Sequence, residues 1–141
     1  MKTRLLTAFL ILTALYACQP SSKTESASTE STSPTASASV ITLTAQEFTA
    51  KSGAGTILDV RTASEVAQGK IEGALVIDFY SSDFLDQASQ ISKDQEVYLY
   101  CAVGARSEEA ARMLLQQGYT KVYHLQGGIQ SWSQEGLPVV Q

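Results

Sequence analysis

The chain has 141 residues, 44% hydrophobic and 17% charged. That is the make-up of one globular domain, and it excludes a large multidomain enzyme, a collagen-like chain and a wholly disordered one. Ten basic against fourteen acidic residues give a net charge of −4, with no basic excess to neutralise phosphates, which argues against a nucleic-acid partner. The two cysteines, Cys18 and Cys101, and one histidine argue against a multi-bridge disulfide scaffold and a structural zinc site. We expect no metal and no cofactor.

The first 17 residues read as an export signal. Lys2 and Arg4 open it, and 13 uncharged residues follow, from Leu5 to Ala17. The run is shorter than the roughly 20 residues that span a bilayer core, and it fits the apolar region of a signal peptide. It ends in Leu15-Tyr16-Ala17-Cys18, which resembles the lipobox of bacterial lipoproteins, with Tyr16 in place of the usual small or aliphatic residue. The resemblance implies cleavage before Cys18, lipidation of that cysteine and a lipid-anchored place in the bacterial cell envelope, periplasm-facing or at the outer membrane. Two acyl signals hold a protein stably where one is marginal. An ordinary secretory signal cut after Ala17, or an uncleaved anchor, fits the same residues.

Residues 19–39 include 12 Ser or Thr, with Pro20 and Pro34 and no large apolar side chain. Such a segment cannot bury enough surface to offset its ordering entropy. With Cys18 it reads as a disordered tether, 18–39, reaching on the order of 25 Å as a flexible coil. With Cys18 lipidated, Cys101 is the one free thiol of the exported protein, in a compartment that tends to pair thiols.

The remaining residues, 40–141, are enough for one small core. Strand-length runs lie at 56–60, 74–77, 96–100 and 121–125. Helical stretches lie at 44–52, 64–68, 81–91, 107–117 and 128–134. Ser107 followed by Glu108 and Glu109 reads as an N-cap, and Gly118 sits where that helix would stop. Ala110, Met113 and Leu114 mark its buried stripe. Strands alternating with helices predict an α/β fold, a mostly parallel sheet of about five strands with helices on both faces.

In such sheets chemistry gathers beyond the carboxyl ends of the strands. Two endings stand out: Asp59-Val60-Arg61 and Cys101-Ala102-Val103-Gly104-Ala105-Arg106-Ser107. The second puts a cysteine between a buried strand and a helix, with Gly104 free to take turns other residues resist. A short loop of this kind can aim successive N–H groups inward beside the positive helix end and favour the thiolate, the nucleophilic form of cysteine. Arg106 adds a permanent charge and a planar fork of donors. The expectation is a sulfur that faces a ring of amides and can be reached by a reagent.

Cys101-x-x-Gly104-x-Arg106-Ser107 resembles the active-site loop of single-domain rhodanese-like sulfurtransferases. Two other stretches are similar to that family's opening and closing signatures. The first is Leu58-Asp59-Val60-Arg61-Thr62 with Glu65 and Gly69-Lys70-Ile71-Glu72-Gly73-Ala74; the second is 122–125 with Gly127-Gly128-Ile129 and Trp132. The resemblance implies a rhodanese-like fold over 40–141 and a two-step transfer of sulfane sulfur. Cys101 would take the outer sulfur of thiosulfate or a persulfide, and a thiol, cyanide or a thioredoxin-like protein would remove it. The amides of Ala102, Val103, Gly104, Ala105 and Arg106 would stabilise the persulfide, and Arg106 would shape the loop or bind the donor. Asp59 and Arg61 would support the loop, most simply as an ion pair. Lys70 stands where the family often has histidine. His124, alone on its strand, reads as a packed imidazole, and Phe48, Phe79 and Trp132 as core and rim.

Two other readings stay open. One is a rhodanese-homology module that docks a partner without turnover. The other is a cysteine-dependent phosphatase or arsenate reductase, although those use five residues between cysteine and arginine where four stand here.

Overall fold

A computed structural model describes residues 39–141. The expectations of a signal over 1–17, of lipidation at Cys18 and of a tether fall, but for Ser39, outside the described residues.

The elements run β1 (Ile41–Leu43), α1 (Ala45–Lys51), β2 (Thr56–Asp59), α2 (Ala63–Val66), β3 (Leu75–Val76), α3 (Phe84–Ala88), β4 (Val97–Tyr100), α4 (Ala105–Gln116), β5 (Val122–Leu125) and α5 (Gly128–Gln134). The five strands form one sheet in the order β1-β5-β4-β2-β3. Every strand pair is parallel, with Leu58 opposite Leu99 and Leu99 opposite His124. Such strands need crossovers, and a sheet covered on both faces asks for apolar runs rather than alternation. Central β4 meets that demand: Val97, Tyr98, Leu99 and Tyr100 are all buried.

Two apolar layers hold the sheet. On one face Leu58, Val60, Val97, Leu99 and Val122 meet Phe84 and Ala88 of α3 and Ala110, Ala111 and Leu114 of α4. On the other, Tyr98, Tyr100 and Leu125 meet Phe48 of α1 and Trp132 of α5. The Phe48 ring stands edge-on to Tyr98 at 5.6 Å and to Trp132 at 6.1 Å. Each full burial of an aliphatic or Phe-sized side chain contributes roughly 1.5–3 kcal/mol.

Where the elements depart from expectation, local chemistry accounts for it. β1 falls in a stretch with no strand-length apolar run, and its three residues are strand only because they pair with β5. α4 begins at Ala105, two residues before the expected cap. Gly104 takes the cap position at φ +100°, and the Ser107 hydroxyl donates to the Gly104 carbonyl at 2.9 Å from inside the first turn. Its stripe is Ser107, Ala110, Ala111 and Leu114, while Met113 is only partly buried. α2 and α3 are shorter than their sequence patterns.

The strand order places a reversal at the centre. After β2 the chain goes outward to β3, then crosses to β4 on β2's other side and continues to β5. The ends of β2 and β4 are therefore neighbours at a topological switch point, where open α/β sheets form their crevices.

Candidate active site

Cys101 follows β4 directly, and its Sγ points into the turn made by Ala102, Val103 and Gly104. The Gly104 N–H donates to Sγ at 3.1 Å. Burial works against ionisation of the thiol. The N–H and hydroxyl of Ser107 and the N–H groups of Gly104 and Val103 outweigh it, bringing the Cys101 pKa below its ordinary value. Ala105, Arg106 and Ser107 occupy the first turn of α4, so their N–H groups have no intrahelical acceptor and face the loop with the positive end of the helix dipole.

The loop's orientation is set by α5. Ile129 N–H donates to the Cys101 carbonyl at 2.8 Å, and Gln130 N–H donates to the Ala102 carbonyl at 3.1 Å. In a trans peptide C=O and N–H point opposite ways, so drawing these two carbonyls toward α5 turns the Ala102 and Val103 N–H groups away from it. The docking is close enough to demand glycine. A Cβ on Gly128, at φ +59°, would stand 2.4 Å from the Cys101 carbonyl oxygen. Gly104, at φ +100°, needs the left-handed turn that starts α4.

Asp59 and Arg61 sit at the end of β2, both buried. The Arg61 Nε donates to the Asp59 carboxylate at 2.9 and 3.1 Å, and Nη2 at 2.7 Å. The remaining arms donate to the carbonyls of Glu65 at 3.2 Å and Gly69 at 2.8 Å. Its guanidinium also lies 5.5 Å from the centre of the Tyr100 ring. The pair braces the β2–α2 turn and the segment after it, beside the cysteine loop.

Arg106 makes a second clasp. Its Nη1 and Nη2 donate to the two carboxylate oxygens of Glu65 at 2.9 and 2.5 Å, and the guanidinium sits 5.5 Å from the centre of the Tyr80 ring. Glu65 is also the third residue of α2, and accepts from the Thr62 N–H at 3.0 Å in a capping box. The Arg106 fork, with the Thr62 hydroxyl and N–H, outweighs partial burial and holds the Glu65 carboxyl down to about 2.

A cleft of about 310 Å³ opens beside the loop, lined by Arg61, Glu65, Gln68, Ala102, Val103, Ile129, Gln130, Ser133 and Val139 among others. Val139 is brought there by the C-terminal strap, where Lys70 and Val140 exchange two backbone hydrogen bonds of 2.8 Å. Val103 is 59% exposed at the mouth and Tyr80 69% exposed over Arg106. Cys101 itself has 0% exposure. The sulfur faces the Gly104 amide but is fully buried, against the expectation that a reagent could reach it directly.

The structure brings Cys101, Ala102, Val103, Gly104, Ala105, Arg106 and Ser107 together with Asp59 and Arg61. His124 stands apart, buried, with Nε2 and the Thr42 hydroxyl 3.1 Å apart and Nδ1 without a partner. The Lys70 ammonium donates to the Ala74 carbonyl at 3.0 Å. The sequence reading missed the clasp function of Glu65, Tyr80 at the rim, the carbonyl-holding role of Gly128, Ile129 and Gln130, and the wall made by Val139. Gly127-Gly128 was the available signal for the close docking.

The fold and site define a parallel α/β domain that holds one thiol in a cradle of backbone amides. The chain belongs to the rhodanese-like domain family, whose pattern it matches over residues 44–135. A protein named sulfurtransferase from Allochromatium vinosum is 44% identical over 84 residues, covering 60% of this chain and 77% of that one. A tRNA uridine(34) hydroxylase from Bradyrhizobium diazoefficiens is 37% identical over 83 residues, 56% of this chain but only 32% of that protein. Among solved structures, a rhodanese-related protein from Thermoplasma volcanium is 34% identical with a TM-score of 0.65, covering 71% of this chain and 97% of that one. This kinship supports sulfur transfer as the general chemistry.

Proposed function

We propose that this protein is a sulfurtransferase that carries one sulfane sulfur on Cys101. The observation that carries the reading is the Gly104 N–H donating to Sγ at 3.1 Å where the loop enters α4, with the neighbouring Val103 and Ser107 N–H groups also favouring the thiolate. A cradle that favours a thiolate also suits the persulfide anion made from it.

The Cys101 thiolate attacks the outer sulfur of the donor, thiosulfate or a persulfide. A new S–S bond forms, the donor's S–S bond breaks, and sulfite or a thiolate leaves with the electron pair. The anion Cys101–S–S⁻ then sits among the amides of the loop and the first turn of α4. A thiolate acceptor, small or on a thioredoxin-like protein, or cyanide attacks the outer sulfur and frees Cys101. Arg106 is clasped by Glu65 and acts here by shaping the loop. Asp59 and Arg61 brace the neighbouring turn. The signal, Cys18 and tether motifs support a lipid-anchored setting in the cell envelope.

The test is to incubate the full chain with thiosulfate or glutathione persulfide and weigh the Cys101 peptide. The expected result is a gain of one sulfur atom, absent in Cys101→Ser and removed by cyanide. Alkylation of Cys101 should show a midpoint below the ordinary thiol value of about 8.5. A folded protein that gains no sulfur from either donor overturns the reading. A partner retained by Cys101→Ser would then favour a docking module, and phosphate release from an aryl phosphate a phosphatase.

A further inference from the structure

We propose that His124 is an acid-sensitive latch, holding the edge strand β1 against β5 as a neutral ring and releasing it on protonation. The latch belongs to the fold and works whatever Cys101 carries.

β1 is three residues long, lies at the end of the sheet and has β5 as its one strand neighbour. Leu43 anchors it in the core, while Ile41 and Thr42 are exposed. Few contacts hold such a strand, which places it at the low end of local stability. Thr42 stands opposite His124 in the register, with its hydroxyl 3.1 Å from Nε2. Val122, two residues earlier on β5, lies in the layer beneath α4, and strand alternation puts His124 on that same side. The ring is 5% exposed, and its Nδ1 is buried without a partner among the described residues.

A neutral imidazole carries one N–H and one lone pair. The Thr42 hydroxyl can serve Nε2 in either role, and the other nitrogen goes unserved. An imidazolium carries two N–H groups and a charge, so its second donor would be buried without an acceptor. The neighbouring charges do not repair this. From α4 come Glu108 and Arg112, which are paired with each other and act on the ring in opposite directions. β1 brings no titratable side chain. β4 sets Leu99 opposite the ring, and its Tyr98 and Tyr100 lie in the other layer. Burial prevails and holds the ring below its ordinary pKa.

When β1 swings out, Nε2 meets water and titrates near the ordinary value of about 6.5. The open form then binds a proton more tightly than the closed form, so acid drives opening. Above about 6.5 both forms are neutral and the latch has its full strength. Below that value each pH unit weakens it by up to about tenfold, until the closed form also protonates. Release also reaches the cysteine loop. The Leu43 carbonyl accepts from the Gln126 N–H at 2.9 Å, and Gln126 opens the turn whose Ile129 N–H holds the Cys101 carbonyl at 2.8 Å.

The test is amide hydrogen exchange of the full chain at pH 7.5 and 5.5, read as protection factors so that intrinsic exchange is divided out. Protection at Gln126 should fall about tenfold between the two, and that at Ile129 should fall with it by a smaller factor. Val60, whose N–H donates to the Tyr100 carbonyl at 3.0 Å, is the control and should hold its protection. His124→Gln keeps a polar partner for Thr42 and cannot titrate, so it should flatten the pH dependence at Gln126. The chain has one histidine, so its ring signal in NMR is unambiguous, and its midpoint should lie below about 6.5. A midpoint at or above that value overturns the latch without recourse to any variant. An equal fall at Val60 overturns it as well, because the whole domain would then be opening. So does a pH dependence that survives in His124→Gln. Loosening at Gln126 with Ile129 unchanged overturns the reach to the cysteine loop and confines the latch to the edge.

Discussion

The ends of β2 and β4 lie side by side on one edge of the sheet, and each is followed by an arginine with an acidic partner. At the end of β2, Asp59 and Arg61 are two residues apart and buried, and the Arg61 fork is spent on Asp59 and on backbone carbonyls. At the end of β4, Arg106 is five residues past Cys101, and its partner Glu65 comes from another element, 41 residues away. Its side chain remains 18% exposed and that of Glu65 30%. The first arrangement closes on itself and leaves nothing to offer a ligand. The second holds a frame around amides whose donors converge on a sulfur. Like composition at two neighbouring strand ends thus yields a brace in one place and a site in the other, and burial is what separates them.

The sharpest way to break this contrast is to remove the brace. Arg61→Ala strands the Asp59 carboxylate in an interior that solvates it poorly, and should destabilise the fold by about 3–5 kcal/mol in chemical denaturation. Replacing both members, as Asp59→Leu with Arg61→Met, should cost far less, because no unpaired charge is left behind. A single variant as stable as the parent would show that Asp59 has another source of compensation.

Gly128→Ala attacks the other strand end without touching a charged group. The added Cβ collides with the Cys101 carbonyl at 2.4 Å in a left-handed backbone. Adding the left-handed penalty of roughly 1–2 kcal/mol to an overpacking cost of roughly 1–3 gives about 2–5 kcal/mol. The Cys101 alkylation midpoint should rise at the same time, since the carbonyls that turn the amides inward lose their anchors on α5. A stability loss without that rise would show that α5 supports the fold and not the cradle.

These two sites also mark how far sequence reasoning reached. The three four-residue strands, α4 and α5 were legible because their apolar runs or spacing agree with the layers they enter, as Val97, Leu99 and Leu114 do. The Asp59–Arg61 pair was legible as an ion pair because two residues separate its members. β1 was not, because Ile41, Thr42 and Leu43 follow a Ser/Thr-rich stretch and become a strand only beside β5. Ser107 looked like a cap because serine before two acids usually is one. The backbone of Gly104 reached the cap position first and turned the hydroxyl of Ser107 back onto its own carbonyl. Sequence alone put Cys101 in the short loop between β4 and α4. That Cys101 is covered, and that Arg106 answers to Glu65, depends on contacts between segments far apart in the chain.

Glu65→Gln sharpens the comparison from the exposed side. The folded carboxyl is held down to about 2, well below its unfolded value of about 4.3, so the pair's contribution is fully present above that unfolded value. It is lost progressively as pH falls toward 2. Because both side chains are partly in water, the difference at neutral pH should be about 1 kcal/mol, far less than for Arg61. Denaturation curves of parent and variant should therefore converge as pH falls from 4.5 to 2. A gap that persists at pH 2 would assign the effect to the capping box with Thr62 and not to the charge on Glu65.

Arg112 sets the lower end of the scale. On α4 it bonds two acidic partners, Glu108 and Glu109, within one turn of the helix. By geometry alone this looks at least as well paired as Arg61. Its side chain is 53% exposed, however, so neither it nor its partners gave up hydration to fold, and water and salt screen whatever attraction remains. Removing it strands no buried charge. Arg112→Ala should change stability by less than about 0.5 kcal/mol, with the change vanishing in high salt when measured by denaturation midpoint. A loss comparable to that of Arg61→Ala would mean that ion-pair geometry, and not burial, distinguishes the arginines of this fold.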